Sequence, residues 1–60
     1  MRYQLMMIFI DRPPLHVSIE CPEWILCVII ARGWLNQTTD ASHVDIFDKD
    51  GTLIHRVNGL

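Results

Sequence analysis

The sequence predicts a small α+β domain, residues 1–60 forming one unit with an antiparallel four-stranded sheet and one helix in the order β-β-α-β-β. Three observations carry this. Polar and apolar residues alternate with period two at 16–20, the pattern of a half-buried strand. An apolar run at 22–32 opens on a proline and closes on a glycine, as helices do. The tetrapeptide Asp48-Lys49-Asp50-Gly51 has the composition of a hairpin turn.

Residues 3–10 are rich in strand formers and end at Asp11-Arg12-Pro13-Pro14, where two prolines block further ladder pairing. Residues 16–20 then make a second strand hairpinned to the first, with Leu15, Val17 and Ile19 on its inner face. A helix is expected from about Pro22 to Arg32 or a little beyond, with Gly33 as a left-handed stop and Trp34 folding back as the hydrophobic contact of the cap. Val28, Ile29 and Ile30 are β-branched and would suit a buried strand, but the length of the run and its proline start favour helix. Residues 36–42 are small and polar and read as a loop.

The last segment forms a hairpin of residues 43–47 and 52–57 around a type I turn with Gly51 in the left-handed position. In the simplest register Phe47 faces Leu53, Ile46 faces Ile54 and Asp45 faces His55. Phe47, Leu53 and Val57 then share one side, and Val44, Ile46 and Ile54 the other.

Residues 44–54 resemble the first motif of the haloacid dehalogenase phosphohydrolases, a hydrophobic strand ending in Asp-x-Asp-Gly-Thr. The resemblance implies that Asp48 is a nucleophile and Asp50 a general acid-base, acting with magnesium in a metal-dependent phosphohydrolase-like module. That family completes its site with a Ser or Thr, a Lys and further acids from later segments of a large domain. The sequence runs only eight residues beyond Thr52, so a hairpin turn is the expected role of these aspartates, and no catalytic residue, cofactor or metal is assigned. A calcium loop is also not met, since Ile46 and Val57 stand where it needs acids. Cys21, Cys27, His16, His43 and His55 lack the short spacing of a zinc site.

Net charge is -2, and the five Lys and Arg residues are scattered, which argues against nucleic acid. The apolar runs at 5–10 and 24–31 are short of the ~20 residues that cross a bilayer, and no cleavage site follows the first, so no membrane segment is expected. Cys21 and Cys27, six apart across a strand-to-helix junction, read as reduced thiols of a cytoplasmic protein.

With 50% hydrophobic residues, the chain holds more apolar surface than one thin core encloses. One helix covers one face of a sheet, and the other face then needs a partner. The expected function is therefore a small non-enzymatic interaction or regulatory protein, homodimeric through an apolar sheet face. A phage-type inhibitor of a host enzyme is the alternative use of the same face. The interaction residues expected are Trp24 and Trp34, as large aromatic anchors, with Val44, Ile46 and Ile54 on the side nearer the interface.

Overall fold

The computed structural model describes residues 1–59. The elements are β1 (Arg2–Phe9), β2 (Leu15–Glu20), α1 (Trp24–Gln37), β3 (Ala41–Phe47) and β4 (Leu53–Asn58). All strand pairs are antiparallel and the sheet order is β2-β1-β3-β4, so the α+β class and the β-β-α-β-β order are as the sequence predicts. The first strand, the most apolar, is central. It pairs with β2 through the proline turn and with β3 after the helix has crossed the sheet.

The core lies between α1 and one side of the sheet. Tyr3, Leu5 and Met7 of β1 meet Val44 and Ile46 of β3, Val57 of β4, and Cys27 and Ala31 of α1. Leu5, Ile46, Val44 and Cys27 are fully buried, and each large aliphatic among them contributes roughly 1.5–3 kcal/mol by leaving water. Small residues at 27 and 31 let the helix approach the strands closely. Val17 and Ile19 of β2 point to the same side as Leu5 and Tyr3, their cross-strand partners, but remain half-exposed at the sheet margin.

The helix departs from expectation at both ends. Glu23, extended at φ −140° and ψ 145°, is the N-cap, so Pro22 lies before the helix. Gly33 does not terminate it: the helix continues through Gly33 to Gln37, and Trp34 and Leu35 pack on the core from its last turns. Their burial holds the additional turn in place, a tertiary contribution that outweighs the roughly 1 kcal/mol a mid-helix glycine costs relative to alanine. Only residues 38–40 are left as the connection to β3, shorter than the expected loop.

The C-terminal hairpin also departs from the simple register. Phe47 faces Leu53 as expected, but a bulge beyond it makes Ile46 face His55, Asp45 face Arg56 and Val44 face Val57. This one-residue slip carries Val57 to the helix side, where it is buried with Val44 and Ile46, and leaves Phe47 on the other. The turn itself is as read, with Gly51 at φ 83°.

Candidate interaction surface

Three surfaces come into question: the turn of the last hairpin, the open side of the sheet and the outward side of α1. At the turn, Asp48 Oδ1 accepts hydrogen bonds from the backbone N–H groups of Asp50 at 2.8 Å and Thr52 at 3.0 Å. The Asp48 carbonyl accepts from Gly51 N–H at 3.1 Å. These contacts make Asp48 the local cap of its own turn. Among the described residues no three His, Cys, Asp or Glu side chains gather in an arrangement that could hold a metal ion.

The open side of the sheet is mixed in character. Met6, Ile8 and Phe47 are half-buried there, while His16, Gln4 and Ser18 are exposed. At its centre Asp45 is only 7% exposed and receives Arg56 Nε on Oδ1 at 2.7 Å and Nη2 on Oδ2 at 3.2 Å. His43 Nε2 lies 3.7 Å from Oδ2. The hydrogen bond and the charge of Asp45 both raise the pKa of the Arg56 guanidinium. The pair satisfies the one buried carboxylate among the described residues and gives this face a polar middle, so it is less apolar than the sequence suggests.

The residues expected at the interface are therefore redistributed. Val44 and Ile46 have no exposure at all and lie beneath the helix, which corrects the expectation that they face a partner. The sequence does not show which side the helix takes, since both sides of β3 carry apolar residues. Ile54 sits in the bulge and packs at the edge of the core. Trp24, at the start of α1, is 37% exposed and tilts over the His55 ring with centroids 5.6 Å apart. Trp34 is half-buried and lines a groove of about 260 Å³ with Met7, Phe9 and Leu15.

The outward side of α1 carries what those residues do not. Ile25 is 52% exposed, Leu26 41% and Ile29 62%, and they form one apolar stripe over the first two turns, while Trp24 lies on the flank that turns toward His55 of β4. Spacing of four residues continues the row from Ile25 through Ile29 to Gly33. The only charged side chain in the helix is Arg32. Neither Ile25 nor Ile29 stands out in the sequence as an interface residue, but a signal was present: residues 24–31 contain no charged or amide side chain on any side of the helix. A helix apolar all round needs cover on both sides.

Cys21, at the end of β2, and Cys27, on the first turn of α1, are both free and buried, and their sulfurs lie 3.9 Å apart. The junction between strand and helix thus brings together two thiols that their sequence spacing does not suggest as neighbours. Among the described residues no helix is long and apolar enough to cross a membrane. Comparisons with protein-family models, with curated proteins and with solved structures return no match to this chain.

Proposed function

We propose that this chain is a small non-enzymatic interaction protein whose docking surface is the outward side of α1. The observation that carries the reading is the stripe of Ile25, Leu26 and Ile29 with no charge among them. At their exposures these side chains leave on the order of 300 Å² of apolar surface in water, in the range of the largest patch on a small soluble protein, which is often functional. A folded domain of 60 residues has little stability to spare, and this surface stays uncovered only at a cost in solubility. The paired free thiols of Cys21 and Cys27 fit a reducing compartment and support a cytoplasmic setting.

The test is a photo-crosslinking amino acid placed at Ile29 and, in a separate variant, at Ser18 on the opposite side of the molecule, with both proteins expressed in the native cells. The reading predicts a discrete protein adduct from position 29 and none from position 18. Adducts from position 18 alone, or from neither, would overturn it.

A further inference from the structure

We infer that Cys21 and Cys27 form a thiol–disulfide switch, in which a small hydroperoxide closes a bridge between the end of β2 and α1 and so clamps the first turn of the helix. Both thiols are free, and their sulfurs lie 3.9 Å apart, close to contact for two sulfur atoms. A disulfide of about 2.05 Å draws them together by about 2 Å, a distance that side-chain rotation spans. Whichever partner α1 meets, this juxtaposition belongs to the single chain.

Both ends of the bridge are anchored, and the segment between them is not. The Cys21 backbone N–H donates to the Met1 carbonyl at 2.8 Å, which extends the pairing of β1 and β2 by one residue. Cys27 has no exposure and belongs to the core with Ala31. Between them the helix starts weakly: its N-cap, Glu23, makes no side-chain hydrogen bond to the first turn, and that turn holds no acidic side chain. An uncapped first turn opens readily, and its opening lets a small oxidant reach Cys21, which is 7% exposed. Once closed, the bridge ties this turn to the sheet, with Trp24, Ile25 and Leu26 inside the loop.

The two thiols differ in role. Burial pushes the Cys27 thiol up to about 11, so it keeps its proton at neutral pH, and the less buried Cys21 meets the oxidant first. The Cys21 sulfur gives up its proton and attacks one peroxide oxygen. The O–O bond breaks, the other oxygen leaves as an alcohol or water, and Cys21 becomes a sulfenic acid. The Cys27 sulfur then attacks the Cys21 sulfur: the S–S bond forms, the S–O bond breaks, and the hydroxyl leaves with the Cys27 proton as water. In sum the two thiols give up two electrons and two protons, and the hydroperoxide is reduced to an alcohol and water, or to two waters. A thiol reductant reopens the bridge by exchange, in keeping with the transient disulfides of a reducing compartment.

The test treats the reduced protein with a slight excess of hydrogen peroxide, with and without dimedone to trap sulfenic acid, and reads the products by mass spectrometry. Wild type should become lighter by two hydrogen atoms at the mass of one chain, with dithiothreitol restoring the original mass. Cys27→Ala should give about tenfold or more dimedone adduct at Cys21 than wild type, because no neighbouring thiol captures the sulfenic acid. The bridged chain should melt about 5–15 °C higher than the reduced one and exchange its amide hydrogens at 24–27 more slowly. Equal adducts in the two proteins, a bridge formed between chains, or Cys21 oxidised onward to sulfinic acid without a bridge overturns the switch. A bridge that changes neither the melting temperature nor the exchange at 24–27 overturns the clamp. Should Cys27→Ala fail to fold, the wild-type masses and exchange decide by the same criteria.

Discussion

Asp45 of β3 and Arg56 of β4 stand directly opposite each other and are joined by two parallel hydrogen bonds of 2.7 and 3.2 Å. The two partners are unequally placed: the Asp45 side chain is 10% exposed and that of Arg56 50%. Removing the arginine strands a carboxylate in a poorly hydrated site, whereas removing the aspartate leaves a guanidinium that water can reach. Arg56→Met should accordingly lower the melting temperature at pH 7 more than Asp45→Asn does. Equal losses would mean that Asp45 is better hydrated than its burial indicates.

The sidedness of β3 gives the second expectation. Ile46 is fully buried under α1 and Phe47 is half-buried on the open side. Ile46→Ala should cost about 2–4 kcal/mol, and Ile46→Glu should leave the chain unfolded. Phe47→Glu should retain the far-ultraviolet circular dichroism of the native protein. A folded Ile46→Glu beside an unfolded Phe47→Glu would place the helix on the other face.

At the hairpin turn, Asp48 holds two backbone N–H groups and Gly51 has φ 83°. Asp48→Ala should cost about 1–2 kcal/mol, as loss of a capping carboxylate does, with Asp48→Asn milder because its carbonyl still accepts. Gly51→Val should be worse than Lys49→Val, since a β-branched side chain is strained at positive φ. Denaturant titration ranks the four variants. The same proteins should show only background phosphatase activity with magnesium, and turnover abolished by Asp48→Asn would contradict the turn-cap role.

Burial pushes the Cys27 thiol from 9.0 up to about 11, with the hydrogen bond and proximity of Cys21 adding to it. Below pH 9 the thiol keeps its proton whether the chain is folded or not, and stability does not depend on it. Between pH 9 and 11 the unfolded chain ionises first, so stability falls as pH rises, by roughly 2–3 kcal/mol from this group. Melting curves across this range should show the decline, and Cys27→Ala should show a shallower one. Identical slopes for the two proteins would mean that the thiol titrates normally in the fold.

The sequence by itself determined the class, the number and order of the elements, and the glycine turn, because these depend on local chemistry: alternation within a strand, prolines that end a ladder, and a left-handed position that glycine suits. The tertiary structure decided what local chemistry leaves open. The end of α1 passed beyond Gly33 because Trp34 and Leu35 bury themselves against the sheet, a gain absent from any helix considered alone. The bulge in the last hairpin shifted the register by one residue, and with period-two geometry that shift set Val57, rather than Arg56, opposite Val44 in the core. The side chosen by the helix buried Val44 and Ile46 and left Ile25 and Ile29 in water. Both sides of the sheet strands and both sides of the helix are apolar in sequence, so only the packing of one against the other determines which apolar surface remains for a partner.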